Sequence, residues 1–322
     1  MWLPVSARRL SKIYKQKIKQ RFAAMDSLYG PPEDMFPGSE NVQFPDFSGA
    51  GFDIAEAWWL AELCRLAYTP DSKEFTRVWH ARKPDRLEVL EERSPFRELL
   101  DVHKTGNSAA IYETDFGGTV LCFRGTSKPA QWISNLVFHP HEWVRFKEQE
   151  ELQGAFVHSG FYVMFKRIWP LLWPTLRLSP RPWIFTGHSL GGALAKMAHA
   201  VAKADKVYTF GAPRIGNEIF AGAHMENTIR IVNHRDIVPL LPARDESKGR
   251  KAFGHGGELI LLPEEGGFMD DPTSYLNLQP WNLVEEWSRQ SDLFRHTPPW
   301  IKDHFIGDYC RKIAERLPPA DS

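Results

Sequence analysis

The stretch Trp183 to Lys196, WIFTGHSLGGALAK, constrains the fold more than any other part of the chain. A run of strand-forming residues ends in Gly187-His188-Ser189-Leu190-Gly191 and gives way at once to GALAKMAHA, a run of good helix formers. G-x-S-x-G is a weak signal by itself. Between a strand and a helix it acquires a physical reason, because a serine held on a sharp, strained turn needs small neighbours on both sides. Ser189 would then stand at a helix N-terminus, where free backbone N–H groups and the positive end of the dipole favour negative charge. That makes it a candidate nucleophile rather than only a serine in a glycine-rich cap.

Short apolar runs bounded by turns continue on both sides. NSAAIYETD and GGTVLCFRGT read as strands joined at Phe116–Gly118, and RPWIFTGH, KVYTFGAP, NTIRIVN and GGELILLPEE read as further strands. Strands alternating with helical stretches predict an α/β chain, with a mostly parallel sheet and helices packed on it. AEAWWLAELCRLAY, with no breaker and aromatics on more than one face, reads as a buried helix, and PPWIKDHFIGDYCRKIAERL includes a closing one. Residues 26–53 are rich in Pro, Gly and Asp and read as irregular chain; the charged stretch 71–105 has no clear periodicity. The expected organisation is a basic N-terminal helix and irregular linker over 1–53, then one α/β domain over 54–322.

Composition excludes several classes. At 322 residues and 43% hydrophobic, the chain can bury a sizeable core. Cys64, Cys122 and Cys310 are odd in number and widely spaced, which predicts neither a disulfide framework nor a CxxC metal site and fits a reducing compartment. No stretch free of Lys, Arg, Asp and Glu exceeds 14 residues, the length of Pro182 to Ala195, short of the ~20 that a membrane-spanning helix needs. Formal charge is zero, yet residues 1–24 carry seven Lys or Arg and no acid. Leu3, Ala7, Leu10, Tyr14, Ile18 and Phe22 recur there at helical spacing, the pattern of an interfacial membrane helix. A helix packed on the body or a solvated basic tail is the first reading of the same segment, surface membrane binding the second and a transit peptide the third. A secretory signal is not expected, because basic residues interrupt the segment before an apolar core forms. The expected location is cytoplasmic, with peripheral contact at a membrane surface. No nucleic-acid motif accompanies the basic cluster.

A serine nucleophile needs a base and an acid that orients it, and chains with this elbow supply them in the order Ser, Asp or Glu, His. Asp236 follows the strand NTIRIVN, which would deliver it to the same sheet edge as Ser189; Asp245, Asp270 and Asp271 have no such strand. Three histidines come later, His255, His296 and His304, and order alone leaves all three open. A developing oxyanion would find the N–H of Leu190 and, after the strand VLCF, the loop Gly125-Thr126 with the Thr126 N–H and hydroxyl. His139 and His141 lack a third ligand, so no metal is expected, and the chemistry requires no cofactor.

FRGT, VHSGF, TGHSLGGALA, YTFGAPRIGN, RIVNHRDIVPLLP and DHFIGDY, in this order, resemble the fungal-type class 3 lipases. The resemblance covers about residues 110–265 and the C-terminal histidine segment. It implies the α/β-hydrolase fold, with helices on both faces of a mostly parallel sheet. It also implies nucleophile Ser189, acid Asp236 and base His304, with Thr126 and Leu190 at the oxyanion, and a lipid ester substrate, acylglycerols first. Phospholipase A1-type cleavage is the alternative, followed by a lipase-like binding protein without activity. The family carries a lid between the oxyanion loop and VHSGF. Trp132, Ile133, Leu136, Val137 and Phe138 cluster there, with Asn135 where relatives often have Asp. Lid and residues 1–24 would make the membrane or lipid-droplet contacts.

Overall fold

The computed structural model describes residues 35–68, 90, 92–104, 107–126, 140–143, 152–223, 226–242, 249, 252–265 and 299–319. The first described helix, α1 (Ile54–Leu66), starts where the Asp53 carboxylate accepts the Glu56 N–H at 2.9 Å, and no Gly or Pro interrupts it. It is apolar nearly all round and buried accordingly. Met35, Phe36 and Phe47, from the irregular chain before it, join the same core.

The strands are β1 (Phe96–Lys104), β2 (Asn107–Thr114), β3 (Thr119–Phe123), β4 (Pro140–Glu142), β5 (Phe156–His158), β6 (Trp183–His188), β7 (Lys206–Phe210), β8 (Gly216–Asn217), β9 (Thr228–Asn233), β10 (Phe253–Gly254) and β11 (Glu258–Leu262). The helices after α1 are α2 (Ser159–Leu176), α3 (Leu190–Ala202), α4 (Glu218–Gly222), α5 (Pro299–Lys302) and α6 (Ile306–Ala314). Seven strands form the main sheet in the order β1-β2-β3-β6-β7-β9-β11, and β10-β8-β5-β4 form a small second sheet. β1 and β2 run antiparallel and lead into β3; from β3 through β11 the neighbours are parallel. β1 gives no readable signal in the sequence. FRELLDVHK lies at the sheet edge, where charged side chains are tolerated and the apolar alternation that marks a half-buried strand is diluted.

Successive residues of the central strands feed two different cores. Val120, Ile184, Tyr208 and Ile231 point to the face covered by α1 and α6, whereas Leu121, Phe185 and Val207 point to the face covered by α2 and α3. With helices on both faces, β3, β6, β7 and β9 are buried at every position. A buried ion pair fastens α1 to β7: Lys206 Nζ lies 2.6 and 2.7 Å from the two Glu56 carboxylate oxygens, and the Tyr208 hydroxyl donates to Glu56 Oε2 at 2.6 Å. On the opposite face Lys196 of α3 is buried and donates to the Gly256 carbonyl at 2.9 Å. Among the described residues no helix is long and apolar enough to cross a membrane.

The parallel arrangement sends the ends of β3, β6, β7 and β9 to one edge. Gly125, Ser189, Gly211 and Asp236 all lie just past those ends. A crevice outside the carboxyl ends of parallel strands is where open α/β sheets bind ligands.

Candidate active site

Ser189 sits between β6 and α3 with φ 59° and ψ −127°, a conformation that is strained for any residue with a side chain. Its N–H is tied to the Phe210 carbonyl at 2.9 Å. The glycines around it are required by space. A Cβ on Gly187 would come within 2.3 Å of the Gly191 carbonyl carbon, and one on Gly191 within 2.0 Å of the Phe123 carbonyl oxygen. The elbow therefore closes only with glycine on both sides of the serine.

Asp236 ends the turn after β9, and its Oδ1 accepts the Val238 N–H at 2.9 Å. His304 lies in the turn between α5 and α6. Its Nδ1 is 2.9 Å from Asp236 Oδ2 and 3.0 Å from Oδ1, and its Nε2 is 2.9 Å from Ser189 Oγ. A carboxylate only accepts, so Nδ1 carries the ring proton and Nε2 is left to accept from the serine hydroxyl. Three groups 47 and 68 residues apart in sequence thus form one hydrogen-bonded chain, and all three are buried. Burial pushes the Asp236 carboxyl up, and His304, Tyr309 and the Val238 N–H pull against that rise. These donors are what makes a buried negative charge tenable there.

Two residues of this site went unremarked in the sequence. Tyr309 of α6 donates to Asp236 Oδ2 at 2.6 Å while accepting the Asn233 N–H at 3.0 Å. Gly211 has φ 57°, and a Cβ there would lie 2.5 Å from Asp236 Oδ2, 2.8 Å from the Tyr309 hydroxyl and 3.2 Å from His304 Nδ1. The tyrosine of DHFIGDY and the glycine of YTFGAP were visible as motif letters, but nothing local assigned them a contact.

Leu190 opens α3, so its N–H is among those a helix leaves without an intrahelical acceptor. The loop after β3 lies against the serine: a Cβ on Gly125 would come 3.2 Å from Ser189 Cβ and 2.6 Å from the His188 carbonyl oxygen. Thr126 follows, half-buried. His255 stands apart from this constellation. Its Nε2 donates to the Pro239 carbonyl at 2.6 Å, and burial, with Arg230, Arg214 and Lys196 nearby, pushes its pKa well down. Asp245, Asp270, Asp271, His296, the lid cluster Trp132–Phe138, His139 and residues 1–24 lie outside the described residues. His141 packs against the Tyr162 ring, and among the described residues no group of three potential ligands could hold a metal.

A strained serine elbow on a mostly parallel, helix-covered sheet, with Asp and His delivered to the same edge, defines the α/β-hydrolase class. Nearer resemblances are visible in comparison: residues 120–246 match the family described as lipase (class 3). A lipase of Rhizopus niveus is 34% identical over 140 residues, which is 38% of this chain and 34% of that protein. The chloroplastic phospholipase A1 PLIP2 of Arabidopsis thaliana is 30% identical over 139 residues, 37% of this chain and 18% of the relative. The matched stretch thus spans about a third or less of these curated relatives. The solved structure of lipase II from Rhizopus niveus aligns with TM-score 0.52 and 24% identity over 68% of this chain and 84% of that one, a likeness of fold.

Proposed function

We propose that the chain is a serine carboxylester hydrolase acting on lipid esters, acylglycerols first. The observation that carries this reading is the hydrogen-bonded series Asp236, His304, Ser189 at the ends of parallel strands. In this reading Ser189 Oγ attacks the ester carbonyl and its proton passes to His304 Nε2. Asp236 holds Nδ1–H and stabilises the imidazolium that forms. The tetrahedral oxyanion is met by the Leu190 N–H and by Thr126 in the loop that Gly125 brings against the serine. As the C–O bond breaks, His304 returns the proton to the leaving alcohol; water, deprotonated by His304, then attacks the acyl carbon, and the acyl group leaves as a carboxylic acid while His304 returns the proton to Ser189 Oγ.

Labelling with a fluorophosphonate probe tests the nucleophile. The wild type is expected to label and Ser189→Ala to lose both label and hydrolysis of tributyrin; equal labelling of the two would overturn the assignment. A phospholipase A1-type activity is the second reading, supported by the likeness to the Arabidopsis relative. Release of the sn-1 fatty acid from phosphatidylcholine, compared with release from triacylglycerol under the same conditions, separates the two. The peripheral membrane contact expected of residues 1–24 belongs to the same proposal and rests on their charge and spacing; deletion of 1–24 should weaken sedimentation with anionic vesicles.

A further inference from the structure

His188 stands between the nucleophile's elbow and the base. Its Nε2 is 2.7 Å from the backbone carbonyl oxygen of His304, and its Nδ1 is 2.7 Å from the Tyr68 hydroxyl. A carbonyl only accepts, so Nε2 carries the proton, and Nδ1 is left to accept from Tyr68. Burial first, and the neighbouring His304 second, push the His188 pKa well down, which keeps the ring neutral and this tautomer in place. The ring also packs on that of His304, with centroids 4.7 Å apart, and on Tyr309 at 5.9 Å.

Tyr68, two residues past the end of α1, adds a third attachment. A Cβ on Gly125 would come within 2.1 Å of the Tyr68 hydroxyl oxygen, so this hydroxyl lies directly against the loop that leads to Thr126. Two side chains 120 residues apart therefore touch the elbow carrying Ser189, the main chain of His304 and the oxyanion loop. His304 needs such support because its own surroundings are short: α5 has four residues, and the turn to α6 follows at once. Asp236 fixes the ring of His304 at Nδ1. The His188 bond fixes the main chain from which that ring hangs, so together they define where Nε2 points.

We infer that Tyr68 and His188 are positioning residues, a brace that registers the His304 ring and the Gly125–Thr126 loop against Ser189; the inference rests on the hydrolase reading above. Neither residue touches the reacting atoms. Misplacing a reacting group by an ångström can cost about 10²-fold in rate, and losing a single neutral hydrogen bond about tenfold. The brace should therefore act on kcat and leave substrate binding nearly alone.

The test compares Tyr68→Phe, His188→Leu and His188→Gln with the wild type on a soluble p-nitrophenyl ester, together with fluorophosphonate labelling rates and melting temperatures. Tyr68→Phe is expected to lower kcat about tenfold with KM within about twofold, and to slow labelling by a similar factor. His188→Leu should lose about 10²-fold in kcat. His188→Gln keeps an N–H donor near the place of Nε2 and should recover about tenfold of that loss. A Tyr68→Phe enzyme with wild-type kcat and labelling rate would overturn the brace, as would a Gln variant no better than Leu. Wild-type labelling at Ser189 separates the two levels: if it is present and the variants match it, only the brace fails. If it is absent, the hydrolase reading fails and takes the brace with it.

Discussion

Tyr309 donates its hydroxyl proton to Asp236 Oδ2 across 2.6 Å, the same oxygen that His304 Nδ1 approaches at 2.9 Å. Asp236 is buried, so each donor offsets part of what it costs to keep a negative charge away from water. Hydrogen bonds to charged groups contribute about 1.5–3 kcal/mol. Tyr309→Phe removes one of them and also leaves the Asn233 N–H without its acceptor. Steady-state kinetics on a soluble ester should show kcat lower by roughly 10- to 100-fold with KM little changed, which follows from the same free energy. A urea midpoint below that of the wild type should accompany it. Wild-type kcat in a folded Tyr309→Phe enzyme would remove this hydroxyl from any part in holding the acid.

Gly211 closes the opposite side of the same cluster. Alanine there meets both a left-handed φ of 57° and three polar atoms, the nearest at 2.5 Å. Contacts under 3.0 Å force something to move, and here what moves is Asp236, Tyr309 or His304. Gly211→Ala should lose at least about 10²-fold in kcat, in line with the cost of ångström-scale misplacement, while circular dichroism still reports the native helix and strand content. Retained activity would mean that the carboxylate has room to give.

How much of this was legible beforehand differs by residue, for physical reasons. Ser189 was readable because a strained turn demands glycines next to it, and glycine is visible in a sequence. Asp236 was readable because an apolar strand runs directly into it. His304 was one of three histidines in the right order; its apolar segment favoured it and the likeness of DHFIGDY to a known pattern singled it out, but its place in a turn after the four-residue helix α5 is something no periodicity announces. Tyr68, His188 and Tyr309 act through contacts 120, 116 and 73 residues away, and no local rule reports such distances. β1 was hidden by its charges, since an edge strand has one side open to pairing and solvent and needs no unbroken apolar pattern.

The Glu56–Lys206 pair gives a stability prediction independent of catalysis. Both side chains are 3% exposed, and burial pushes the Glu56 carboxyl up against the pull of Lys206 and Tyr208. Breaking a buried pair by removing one partner costs about 3–5 kcal/mol, because a charge is stranded, whereas replacing both partners costs far less. Lys206→Met should therefore lower the unfolding free energy in urea by about that amount, and Glu56→Gln combined with Lys206→Met by less than the single change. A double variant as unstable as the single one would show that the ion pair itself contributes the stability.

Lys196 gives a pH-dependent contribution to stability above neutrality. Burial, and secondarily Arg230, lower its pKa from the ordinary 10.5 to about 7. The unfolded chain thus holds this proton more tightly than the folded one. Below pH 7 both states are protonated and the full cost of burying the ammonium is present. As pH climbs from about 7 toward 10.5 the folded lysine releases its proton first, so stability rises by at most about 1.4 kcal/mol per pH unit, one proton's worth. Lys196→Met deletes the titrating group along with its bond to the Gly256 carbonyl. Urea unfolding of wild type and variant between pH 7 and 9.5 should show a gap favouring Met at pH 7 that narrows as pH rises. A gap that stays constant across that range would mean that Lys196 holds its proton in the folded state as firmly as in the unfolded one.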